Sequence, residues 1–139
     1  MCNNNDYDLF SEMRTLAKLS SFREKRPGAL PARDVLDIAT AGGAKALGLE
    51  NQIGDLSIGK KADIIVLDRT GIGWSPLMTN DPFTALIYSV NGQQVCHTMV
   101  DGEWLMRDRK WLTIDYTKAV KQQSADALRL LTLRDSQNV

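Results

Sequence analysis

The sequence predicts an α/β chain, with its helices gathered before residue 52 and its strands after it. Three observations carry that reading. Apolar residues recur at helical spacing through residues 9–20 and 35–39. The run IGDLSIGKKADIIVLD, residues 53–68, switches to alternation and ends in aliphatic, β-favouring residues. Asp101-Gly102 then separates two alternating runs as a two-residue hairpin turn.

Taken in order, Asn5 or Asp6 is placed to cap a first helix whose inner face holds Leu9, Met13, Leu16, Ala17 and Ser20. It should end near residues 23–26, ahead of Pro27-Gly28. A second helix opens at Pro31, where a missing N–H is no loss, and turns Val35, Leu36, Ile38 and Ala39 inward. Gly42-Gly43 is expected to interrupt it, and a short turn through residues 44–47 stops at Gly48. Gly54 and Gly59 next allow backbone angles other residues avoid, while Leu56 and Ile58 alternate with polar neighbours. Lys60-Lys61 form a solvated corner before residues 62–67 enter a buried strand. The change of pattern at Gln52 marks the domain boundary, and Gly71, Gly73 and Pro76 mark a connection beyond the strand.

Asp81-Pro82 opens PFTALIYSV, readable as helix or strand, and Asn91-Gly92 marks a turn. The Asp101-Gly102 hairpin sets Met99 opposite Trp104 and His97 opposite Met106, with Val95 on the same face. Its other face is also partly apolar, so the hairpin is expected to lie between layers. Asp115 caps a C-terminal helix with an irregular apolar stripe of Val120, Ala127, Leu128 and Leu131. The segments are therefore 1–52, 53–112 and 113–139.

Lys and Arg number 17, Asp and Glu 17, so there is no basic field to recruit nucleic acid or an acidic membrane. The polar start MCNNNDYD lacks the pattern of a signal peptide, and the longest aliphatic run is too short to span a bilayer; a soluble cytoplasmic protein is expected. Two cysteines, Cys2 and Cys96, are too few for a disulfide framework and are expected as free thiols.

Residue chemistry points to no catalytic group. Gly54, Gly59 and Lys60 have the spacing of a phosphate-binding loop, but Lys61 stands where Ser or Thr would hold magnesium, and a strand follows where a helix is needed. A catalytic metal needs several converging ligands, and the chain has one histidine, His97, beside Cys96 on what should be the opposite strand face. A hydrogen-bonded histidine and a buried structural thiol explain both. Asp6, Asp34, Asp81 and Asp115 all fall at helix starts, where capping accounts for them. Neither a catalytic nor a metal-binding residue is assigned.

Three passages nevertheless resemble one family. CNNNDYDLFSEMR (residues 2–14), ALPARDVLDIATAGGAKALGL (residues 29–49) and GDLSIGKKADIIVLD with the later VNGQQVCHTMVDGEW are similar, in that order, to the C-terminal part of amidohydrolase-superfamily metal-dependent hydrolases. The nearest subgroup is the adenosine-type deaminases and s-triazine chlorohydrolases. The resemblance implies that residues 1–52 are the last segments of a β/α barrel and residues 53–112 the C-terminal share of a composite β-sandwich, incomplete as a fold. A closed eight-stranded barrel takes roughly 250 residues, more than this chain has. The family's metal ligands, a His-x-His pair, two more histidines and an Asp, would all precede Met1, so zinc or iron is expected in the full-length member and not in this chain. Asn3 and Asn4 would lie at the active-site rim.

The implied function is deamination or dechlorination of purine- or triazine-like rings by a metal-activated water, with this chain inactive alone. Met1 would be an internal methionine of a longer reading frame, and the implied partner is the missing N-terminal part, besides a homo-oligomer. The competing reading is a non-catalytic interaction module, or a half-enzyme that pairs with an N-terminal chain.

Overall fold

The computed structural model describes residues 7–70, Trp74 and residues 81–136. Gly71, Gly73 and Pro76 lie outside the described residues, as do Cys2 and Asn3 to Asp6.

The first helix, α1 (Leu9–Arg23), is capped by Asp8, whose carboxylate accepts from the Phe10 N–H at 2.9 Å. The expected cap at Asn5 or Asp6 is thus displaced to the carboxylate that stands directly before the apolar run. Its buried face is Phe10, Met13 and Ala17, while Leu9 and Leu16 are exposed. Phe10 outcompetes Leu9 because the 10, 13, 17 spacing aligns the largest side chain with the neighbouring helices.

The second helix, α2 (Ala32–Asp37), starts after Pro31 and buries Val35 completely; Leu36 and Ala39 are half-buried, but Ile38 is exposed. Gly42-Gly43 does not interrupt it. A π-turn over Ile38–Gly42 carries the helix on into α3 (Gly43–Ala46), the wider turn absorbing a residue without a break. Gly48, at φ +69°, closes α3 with Leu49 N–H on the Ala44 carbonyl at 2.9 Å and Gly48 N–H on that of Lys45 at 3.1 Å.

PFTALIYSV resolves as a helix, α4 (Pro82–Tyr88), capped by Asp81 through the Phe83 N–H and the Thr84 hydroxyl. Three helices then share one core, in which Phe10, Met13, Val35, Ala85, Ile87 and Val90 pack with Trp74. Arg14 ties α1 to the end of α4, donating to the carbonyls of Ile87 (3.2 Å) and Val90 (2.5 Å).

Strands β1 (Ile64–Leu67), β2 (Val95–Val100), β3 (Glu103–Arg107) and β4 (Lys110–Trp111) form one antiparallel sheet in that order. A 3₁₀ turn at Gly92–Gln94, closed by a reciprocal Asn91/Gln94 capping box, leads into β2. The Asp101-Gly102 turn forms as expected, both residues at positive φ, and sets Met99 opposite Trp104. Met106, however, faces Thr98 and not His97, because Leu105 is bulged out of the ladder. A second irregularity leaves Cys96 unpaired against β1, whose Val66 and Leu67 face His97 and Val95.

Strand β1 is not the buried strand expected from its sequence. It is a sheet edge, 51% exposed at Ile65 and 40% at Val66, and only its end residue Leu67 reaches the helical core. Beyond β4, Asp115 caps the last helix, α5 (Tyr116–Ser136), by accepting from the Lys118 N–H at 3.0 Å. Its apolar stripe covers nothing: Val120, Leu128 and Leu131 are all exposed. No helix among the described residues is long and apolar enough to cross a membrane.

Candidate functional site

Three places could carry function: the start of α1, the Cys96-His97 pair, and the bare side of the sheet. At the first, Asn3 and Asn4 lie outside the described residues. Beyond them stands a fixed anchor, since Asp8 both caps α1 and accepts from the Gly92 N–H at 3.0 Å, binding the helix start to the turn before β2.

At the second, Cys96 is half-buried, its thiol 3.3 Å from the Val66 carbonyl it donates to. The expected buried thiol is half-open because the strand bulges there. His97 is hydrogen-bonded, as expected: its Nδ1 accepts from the Asp108 N–H at 3.0 Å, and its ring meets Trp104 edge-on at 5.7 Å. Among the described residues no three His, Cys, Asp or Glu stand together as a metal could use.

The displaced carboxylates are structural. The Lys60 ammonium and the Ser57 hydroxyl and N–H hold Asp55 down to about 2. Thr70, with help from Arg109, holds Asp68 to about 2, and Thr84 lowers Asp81. A general acid at neutral pH would need the opposite shift. These partners also correct the expected solvated corner: Lys60 is mostly covered and bridges Asp55 at 2.6 Å, while Lys61 pairs with Asp101 at 2.9 Å and its own proton is held more firmly for it. Hairpin and corner are further joined by Gly102 N–H on the Ala62 carbonyl (3.1 Å) and Asp101 N–H on the Asp63 carboxylate (2.7 Å).

Gly54 sits at φ +102° where an added Cβ would lie 2.7 Å from the Ala44 methyl and 3.1 Å from the Ala41 Cα. The glycine turn is therefore seated on the helix that the π-turn prolongs, a contact that spacing alone does not reveal.

At the third place, a wholly apolar trough of about 220 Å³ runs between α1, α2, α4 and the β1 edge, lined by Leu9, Met13, Leu36, Ile65 and Leu86 among others. Ile65 also borders the larger hollows at either end of it.

The sequence profile of the amidohydrolase family matches residues 1–105. This chain belongs to that family. A 5-methylthioadenosine/S-adenosylhomocysteine deaminase of Syntrophobacter fumaroxidans is 40% identical over 86% of the chain, which spans 27% of that enzyme. A 5′-deoxyadenosine deaminase of Methanosarcina barkeri is 43% identical over 93% of it, again across 29% of the relative. Among solved structures, a zinc-bound adenosine deaminase from Xanthomonas campestris superimposes with TM-score 0.83 at 34% identity, over 91% of this chain and 29% of that one. Atrazine chlorohydrolase from Arthrobacter aurescens with zinc gives TM-score 0.67 at 26% identity, over 84% and 25%. The chain thus spans less than a third of the amidohydrolases it matches. The solved relatives hold zinc, but the described residues here do not fit such a site, because the lone histidine is turned to a backbone amide and no carboxylates converge on it.

Proposed function

We propose that this chain is the C-terminal part of a metal-dependent amidohydrolase that deaminates adenosine-type rings, and that it is inactive alone. Close identity across nearly the whole chain to deaminases of which it spans 27–29% carries the reading. In this reading residues 1–52 are the last barrel segments and residues 53–112 the C-terminal share of a sandwich, and Asn3 and Asn4 border the active site. Dechlorination of triazine-like rings is the lesser reading, since those relatives are the more distant ones.

The chain's share of the work is scaffolding. Its accessible surface is 10,880 Å², roughly half as much again as the ~7,200 Å² expected of a folded chain of 15.5 kDa. The bare trough, the β1 edge and the uncovered α5 make up part of that excess. A partner polypeptide supplying the metal ligands, in the cytoplasm, or a second copy of the chain would cover it. In the complete enzyme the metal lowers the pKa of a bound water.

The test is co-expression with the complementary N-terminal part of a 5′-deoxyadenosine deaminase, followed by pull-down, zinc analysis and ammonia release. Association with deaminase activity absent from either piece is expected. Tight stoichiometric zinc and deamination by this chain alone would overturn the reading, as would the absence of association at micromolar concentration.

A further inference from the structure

We propose that neutral His97 is a proton-operated latch holding the β3–β4 turn against β2. That turn consists of Asp108 and Arg109, at φ 49° and 60°, a left-handed conformation that non-glycine residues adopt at an energetic disadvantage. Three ties hold it: Asp108 N–H to His97 Nδ1 at 3.0 Å, Arg109 N–H to the Cys96 carbonyl at 2.9 Å, and the Arg109 guanidinium to Asp68 at 2.9 Å. Only the first can be switched by one proton near neutral pH.

For Nδ1 to accept, it must be bare, so the ring carries its proton on Nε2. Flipping the ring would aim a carbon at the Asp108 amide and leave it unpaired. Protonation turns Nδ1 into a donor facing a donor, and the imidazolium is drawn instead to the Asp108 carboxylate, already 3.8 Å from Nε2. The backbone tie is thereby exchanged for an ion pair and the turn loosens.

The other groups around the ring do not replace it. Arg107 lies over Trp104 at 5.7 Å, Arg109 is engaged by Asp68, the Cys96 thiol donates to Val66, and β1 presents the apolar Val66. The latch governs the attachment of β4, the sheet edge that leads into α5.

Residue-resolved amide exchange of the whole chain at about pH 8 and pH 5 tests it, with the Gly102 amide, which donates to a carbonyl, as reference. Protection of the Asp108 amide should fall roughly five- to tenfold at the lower pH while Gly102 holds. His97→Asn offers an oxygen where Nδ1 stood and should protect at both pH values; His97→Phe keeps the ring and should protect at neither. Equal protection of the native chain at both pH values, or a nitrogen spectrum that places the neutral ring's proton on Nδ1, would overturn the proposal.

Discussion

Replacing Gly54 by alanine tests how the glycine turn is seated. Two penalties add there. At φ +102° any side chain is strained, by about 1–3 kcal/mol. The new methyl would also stand 2.7 Å from the Ala44 methyl, an overpacking worth about 1–3 kcal/mol more. Gly59 is the internal control, since it shares a positive φ of +95° but has open space around its missing Cβ. Gly54→Ala should therefore destabilise by about 2–6 kcal/mol and Gly59→Ala by about 1–3. Ala44→Gly should return the packing share to the Gly54→Ala chain and leave the backbone share. Urea unfolding followed by far-UV circular dichroism at low protein concentration gives the differences. Equal losses at the two glycines, or no recovery on shortening Ala44, would refute the seating of the turn on the helix.

Arg14→Met keeps the apolar stem but leaves the Ile87 and Val90 carbonyls without their charged donor, and a loss of about 2–4 kcal/mol is expected in the same assay; no loss would detach α1 from α4. Because Asp55 is held at about 2 by Lys60 first, its contribution to stability is present above the unfolded value near 4 and lost as pH falls through about 2. Nuclear magnetic resonance titration of the Asp55 carboxyl should show that window, and a midpoint near 4 would contradict the Lys60 bridge. The surface excess predicts concentration-dependent association and hydrophobic-dye binding; a sharp monomer in sedimentation with negligible dye binding would show that the exposed faces are not sticky.

Much of this fold was legible because its punctuation is chemical. Asp81 and Asp115 cap the helices expected of them, Gly48 closes α3, and Asp101-Gly102 turns the hairpin. What escaped depends on neighbours distant in sequence. The π-turn reads as a break, because two glycines usually end a helix. The bulges at Cys96 and Leu105 leave no mark on an alternating pattern, so the facing of Met106 was off by one residue. Strand β4 was missed because its turn uses Asp108-Arg109, which lacks a glycine. The aliphatic run at β1 reads as buried, and in this chain nothing covers it. At the proposed site, ligand counting from one histidine already indicated that catalysis lies elsewhere, while the trough beside Ile65 needs the fold to become visible.

The clasp between the corner at Lys61 and the hairpin at Asp101 also sets an order of events. The β2–β3 hairpin closes a two-residue loop and can form in microseconds, whereas joining β1 to it spans 40 residues, as in the Lys61–Asp101 pair. That longer closure carries about 2–3 kcal/mol of additional chain entropy, so β1 docks onto a hairpin already made. During synthesis the aliphatic segment at residues 64–67 emerges well before its only shelter exists, and chaperones would meet it first.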